Sequence, residues 1–313
     1  MRSSLLSTLT SFRFLLILFA ASCIIFTVFL THTLTPLYLR RESVDCFEHA
    51  RLKAESELGP TTAPNARNLI VVAGHAIWTG GSQQGNADSE WILRPFQKGQ
   101  QSTFVAHIER GIEELVKDQN SLLVFSGGQT SSLAGPVSES QSYYNLAQSR
   151  GLLSSKTEEL SLRITTEEFA RDSYENILFS ICRFHEFTGQ YPSNITVISH
   201  NFKRGRFTRL HRAALRIPEA NFNFVGIDPP GEISKEGELN SAVVPFSADP
   251  YGCFDQALVT KRVERNPFRR RTPYFESCPE LNGLLNYCDA EGRFFEGTLP
   301  WDSKELHEVN DTY

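Results

Sequence analysis

Leu69-Ile70-Val71-Val72-Ala73 runs into Gly74, Leu122-Leu123-Val124-Phe125 into Ser126-Gly127-Gly128, and Ile195-Thr196-Val197-Ile198 into Ser199-His200-Asn201. Each run is short and mostly aliphatic and is cut off by small or polar residues, as expected of a strand buried on both faces that ends at a loop. Between the runs the period changes. Phe104, Val105, Ile108, Ile112, Leu115 and Val116 share one helical face, a helix over about 140–149 is stopped by Gly151, and a basic helix covers about 202–215. Thr165 and Glu168 have capping-box spacing, which predicts a helix from there to about Phe187 with Phe169, Ile177, Ile181 and Phe184 inward. A short strand is expected at 222–225. Strands alternating with helices specify an α/β fold with a mainly parallel sheet in three layers, and such sheets bind ligands beyond the carboxyl ends of their strands.

Outside this pattern, Phe14 to Leu30 carries no charge, glycine or proline and is flanked by Arg13 and by Arg40-Arg41. Seventeen helical residues span about 25 Å, enough for a thin bilayer. This predicts an N-terminal tip and transmembrane signal anchor over 1–41, a polar stalk over 42–67, the α/β domain over 68–227, and an irregular C-terminal extension over 228–313. The sequons Asn194-Ile195-Thr196 and Asn310-Asp311-Thr312 favour a domain in the lumen of the secretory pathway, Golgi or endoplasmic reticulum. The Ser/Thr-rich, acid-free start keeps the mitochondrion as the alternative.

The net charge of −5 among 313 residues argues against nucleic acid as a partner. Cys23 falls in the membrane run and Cys182 on a helical face, where both read as small apolar residues. Cys46, Cys253, Cys278 and Cys288 allow three pairings, of which Cys278 with Cys288 is expected first. No Cys-x-x-Cys or His-x-Cys spacing points to structural zinc, and no nucleophile elbow, Walker loop or Gly-x-Gly-x-x-Gly is present.

Two kinds of charge converge on the strand ends. Glu139 follows the second strand, and Glu167, Asp172, Glu175 and Asn176 belong to the third segment. Lys203, Arg204, Arg206, Arg209 and Arg212 follow the third strand. Guanidinium and ammonium groups suit phosphate or carboxylate, while carboxylates suit proton transfer or a hard metal. The amides of Ser126-Gly127-Gly128 would serve an anion. Plainer roles compete: Glu168 as a helix cap, Arg171–Glu175 as a surface pair, Arg209 and Arg212 as a solvated face, and the basic run Lys261 to Arg271 as exposed surface or headgroup contact.

Val71-Val72-Ala73-Gly74, Phe125-Ser126-Gly127-Gly128, Glu139, the run Glu167-Glu168-Phe169-Ala170-Arg171-Asp172-Ser173-Tyr174-Glu175-Asn176 and the run Ser199-His200-Asn201-Phe202-Lys203-Arg204-Gly205-Arg206 occur in the order of the SanA/YdcF/ElyC-like family. Residues 68 to 227 resemble that family, in a eukaryotic, fungal-like membrane-anchored branch. The resemblance implies a Rossmann-like domain with a polar site at the strand ends. Lys203 stands where bacterial members usually carry histidine. The expected function is an enzyme on an anionic substrate, phosphorylated or a lipid-linked glycan. Glu139, Glu167 and Glu175 would be its catalytic groups, with a divalent metal as a candidate cofactor. Ser126, Gly127, Gly128, Asn176, Ser199, Lys203 and Arg206 would bind the substrate. The alternatives are a non-enzymatic protein that binds a nucleotide-like or other anionic ligand, and a structural membrane protein.

Overall fold

The computed structural model describes residues 63, 65–153, 158–231 and 235–302, together with Ser22, Phe26 and Phe29. The chain divides into Met1–Pro60 and Thr61–Tyr313. The expected membrane run lies outside the described residues except at those three positions. Among the described residues no helix is long and apolar enough to cross a membrane.

Among the described residues there are seven strands: β1 (Asn68–Ala73), β2 (Ile77–Trp78), β3 (Trp91–Ile92), β4 (Ser121–Ser126), β5 (Ile164–Glu167), β6 (Asn194–Ser199) and β7 (Phe222–Gly226). Five of them form a parallel sheet in the order β5-β4-β1-β6-β7, while β2 and β3 pair antiparallel in the loop after β1. The longer helices are α1 (Gln101–Lys117), α2 (Glu139–Ser149), α3 (Ser173–Thr188) and α4 (Gln256–Glu264).

Period-2 alternation divides each central strand between two cores. Ile70, Val72, Leu123, Phe125 and Ile198 pack with Phe104, Ile108, Ile112 and Leu115 of α1 and with Leu146 of α2. Leu69, Val71, Leu122, Val124 and Val197 face the other way, onto Ile177, Ile181 and Phe184 of α3. The result is a Rossmann-like α/β fold in three layers. The strands expected near 69–73, 122–125, 195–198 and 222–225 are present, as are the helices over 104–116 and 140–149.

Three expectations need correction. Thr165 and Glu168 do not cap the third helix: Ile164–Glu167 pairs with β4, and α3 begins at Ser173, with Asp172 accepting from the Tyr174 and Glu175 amides. An Asx cap directly before the apolar stripe outcompetes a threonine whose β-branch suits the sheet. The segment after residue 228 is not merely appended, since Tyr251, Leu258, Tyr274, Leu281, Leu284 and Leu299 belong to the core on α3's side of the sheet. Among the described residues the disulfides are Cys182–Cys278 and Cys253–Cys288, so Cys182 is a tie between α3 and the C-terminal segment and Cys278 does not pair with Cys288.

Candidate functional site

From β1 the chain moves outward to β4 and β5, then crosses back to add β6 and β7 on the other flank. The topological switch point therefore lies between β1 and β6, where the connecting loops diverge and leave a crevice. The residues at these two strand ends are Gly74-His75 and Ser199-His200.

Glu139 opens α2 with its half-buried carboxylate turned toward the ends of β1 and β4. A Cβ on Gly74 or on Gly127 would stand 2.7 Å from its Oε2, so both glycines are needed for that approach. Thr130 Oγ1 donates to Glu139 Oε1. Burial raises the Glu139 pKa, opposed by the Thr130 hydroxyl and by Arg265, Arg94 and Lys203. The amides of the expected anion loop are already used. Gly127 N–H donates to the Glu167 carbonyl (3.0 Å) and Gly128 N–H to the Ala170 carbonyl (2.7 Å), which removes them as substrate donors.

Ser126, Glu167 and Asn176 do come together, but as an internal brace. Ser126 Oγ donates to Glu167 Oε2 (2.7 Å), and Asn176 Nδ2 donates to Ser126 Oγ (2.9 Å) and to its carbonyl (3.1 Å). Glu167 also accepts from the Phe169 and Ala170 amides (2.7 and 3.2 Å). Full burial carries its pKa from 4.5 to about 7 despite the Ser126 and amide donors. The sign follows from linkage: with the folded pKa above the unfolded one, this contribution is complete below pH 4.5 and is lost as pH rises to about 7. The expected loss is about 3 kcal/mol. Urea unfolding of the wild type and Glu167→Gln at pH 5 and pH 8 checks it. The glutamine variant should lack that part of the pH dependence, and parallel behaviour would refute the assignment.

Glu175 lies in a second network. It pairs with Arg171 and, at 3.4 Å, with Arg262, while Arg262 Nε meets Asp172 Oδ2 at 2.6 Å. The Arg171–Glu175 pair is thus no surface pair, since Glu175 is buried. Arg265 donates to the Arg171 carbonyl (2.8 Å). Arg262 and Arg265 come from the run expected to be exposed, and the structure turns both inward. Sequence reasoning missed them because α4 has to dock before they reach α3.

The third group surrounds the switch point. Lys203 Nζ lies 3.2 Å from His75 Nδ1, and Ser199 Oγ lies 3.4 Å from His75 Nε2. His107, on the buried face of α1, directs Nε2 at the Ile227 carbonyl (2.9 Å). The carbonyl only accepts, so Nε2 carries the proton and Nδ1 holds the free lone pair. Among the described residues, both nitrogens of buried His200, and His107 Nδ1, have no hydrogen-bond partner. Burial first, then Lys203, holds the His75 and His200 imidazoles well below their usual range, and burial takes His107 to about 4. Lys203 is lowered to about 7 by burial and then by Arg206. Arg206 sits 3.1 Å from Glu238 at ion-pair distance, without the alignment of a hydrogen bond. It belongs to a π-helical stretch, Arg206–His211, a backbone form frequent at functional sites. The histidines were not singled out in the sequence, although His200 directly follows β6 and His75 comes two residues after β1.

No family model matches the chain, and no solved structure matches it. A curated relative from Saccharomyces cerevisiae, the uncharacterized protein YOR238W, is 31% identical over 296 residues, an alignment covering 75% of this chain and 97% of the relative. The chain belongs to the family of that yeast protein.

Proposed function

We propose that this chain is a membrane-anchored enzyme of the secretory pathway, akin to the SanA/YdcF/ElyC-like proteins. It acts on a small anionic substrate, phosphorylated or glycan-linked, in the crevice at the strand carboxyl ends. One observation carries the anionic substrate. Lys203 and Arg265 both act electrostatically on Glu139, yet among the described residues neither lies within ion-pair distance of a carboxylate. A half-buried cation that no carboxylate contacts directly is unfavourable, and a bound anion relieves it. Arg206, already matched by Glu238, shapes the field. Glu139 is the group suited to proton transfer, because it is half-buried, raised in pKa and free of any ion pair among the described residues. Glu167, Asn176 and Ser126 hold the loop beside it. The two disulfides and the sequon at Asn194 support an oxidising lumen, and the run Phe14 to Leu30 supports the anchor.

The test is thermal unfolding of the full-length chain, purified in detergent, against inorganic phosphate, pyrophosphate and nucleotide sugars. A ligand at about 100 times its Kd stabilises by about 2.7 kcal/mol. The affinity read from the shift should fall at least about tenfold in Lys203→Ala and in Arg265→Ala, the scale of one lost charged contact, which about halves the shift at that ligand concentration. Glu139→Gln should keep the shift and lose turnover of the compound that causes it. A panel with no response, or a shift that both cation variants leave intact, would sink the reading. A retained turnover in Glu139→Gln would remove its catalytic part.

A further inference from the structure

We propose that His75, His107 and His200 hold a divalent transition metal, zinc by chemical preference, with one coordination position open to the crevice. The three residues lie on different elements: the loop after β1, the buried face of α1, and the loop after β6. Each offers a nitrogen, and these nitrogens lie within 4.8 Å of one another. The ring centroids are 5.3 Å (His75–His107), 4.4 Å (His75–His200) and 4.9 Å (His107–His200) apart, so the three imidazoles pack against one another in one cluster. A tetrahedral site with metal–nitrogen bonds of about 2.1 Å places its nitrogens roughly 3.4 Å apart, so metal entry draws the rings together by up to about 1.4 Å.

Packing alone leaves this arrangement unexplained. His200 is 2% exposed and His107 is fully buried, yet three of their four ring nitrogens have no hydrogen-bond partner among the described residues. Buried polar atoms are nearly always satisfied, and an orphaned set gathered within a few ångströms calls for a ligand. The hydrogen bond from His107 Nε2 to the Ile227 carbonyl is the outer-shell contact that orients a ligating histidine and leaves Nδ1 for the metal. Ser199 Oγ stands in the same relation to His75 Nε2, leaving His75 Nδ1, which Lys203 now occupies. Lys203 and the metal therefore compete for one lone pair, and metal entry frees the ammonium for an anion.

The donor set names the metal class. Three imidazoles without a carboxylate suit zinc, copper, nickel or iron and not calcium or magnesium, which take oxygen ligands. Three protein ligands with a fourth position open is the pattern of reactive rather than structural zinc. Phe104 and Phe202 pack against His200 and exclude water on that side. The inference deepens the proposed function by assigning the site an anion-binding metal, but its evidence and its test require no substrate.

The experiment uses the full-length chain purified in detergent from zinc-supplemented cells. Metal analysis should find about one zinc per chain. A chelator should remove it and lower the Tm, added zinc should restore the Tm, and cobalt in its place should show the visible bands of a tetrahedral site. His107→Gln and His200→Gln should weaken zinc at least by the roughly 10–100-fold that loss of an outer-shell partner alone costs. Lys203→Met, which frees His75 Nδ1, should bind zinc more tightly. Zinc below about 0.1 per chain, or occupancy unchanged in folded glutamine variants, overturns the proposal. The chelator cycle on the wild type decides the matter even where a variant fails to fold. Phosphate binding without zinc would leave the anion reading standing alone, and zinc without phosphate binding would do the reverse.

Discussion

Replacing Cys182 and Cys278 by alanine should cost the purified chain about 4–5 kcal/mol, the figure expected for a crosslink that closes a loop of 96 residues. Both cysteines are fully buried, one on α3 and the other just after the helical turn Tyr274–Ser277. The bond constrains the unfolded chain and ties the C-terminal segment to the helix that carries Glu175 and Asn176. Cys253–Cys288 spans 35 residues, so its removal should cost less, by about 1 kcal/mol. Urea midpoints of the two double-alanine variants give the ordering. Equal midpoints with and without the longer crosslink would show that it contributes nothing. A lower midpoint in dithiothreitol for the wild type alone would show that the bonds form in the purified protein.

Asp172→Ala should destabilise by about 4 kcal/mol, because it leaves the Arg262 guanidinium with half its counter-charge in a buried site. It also removes the cap on α3, which accounts for about 1 kcal/mol of that loss. Asp172→Asn keeps a cap acceptor and should lose less, and adding Arg262→Met to Asp172→Ala should recover part of the loss. If the double variant is no better than Asp172→Ala, the pair is not the cause. Acid gives a second reading of the same contact. Burial alone would raise the Asp172 pKa, but Arg262 outweighs it and holds the carboxyl below its usual 3.8. With the folded pKa depressed, the contribution is present above about pH 4 and disappears as pH falls through the folded value. Glu167 works in the opposite sense, losing its contribution as pH rises toward 7. The aspartate variants should therefore differ from wild type least in acid, and the Glu167 variant should differ from it most above neutrality.

The layered fold is legible in the order of residues alone, because strand and helix period are local properties. Leu69 to Ala73 and Leu122 to Phe125 read as buried strands from their composition, and α1 reads as a helix from the spacing of Phe104, Ile108, Ile112 and Leu115. The sequence was less informative at β5, an edge strand with Ile164 as its single aliphatic residue, where Thr165 and Glu168 mimic a helix cap. Seven candidate residues, Glu139, Glu167, Glu175, Asn176, Ser126, Lys203 and Arg206, lie at or just behind the strand ends, as their positions after apolar runs required. Their roles were not legible. Whether a carboxylate braces a loop, as Glu167 does, or forms no ion pair among the described residues, as Glu139 does, depends on which donors long-range packing brings near it. Arg262 and Arg265 reach the start of α3 only because the C-terminal segment shares the core. The three histidines converge only because β6 is added beside β1 and not beside β5. Strand order is decided by non-local pairing and by the course of the crossovers, and no local pattern records either.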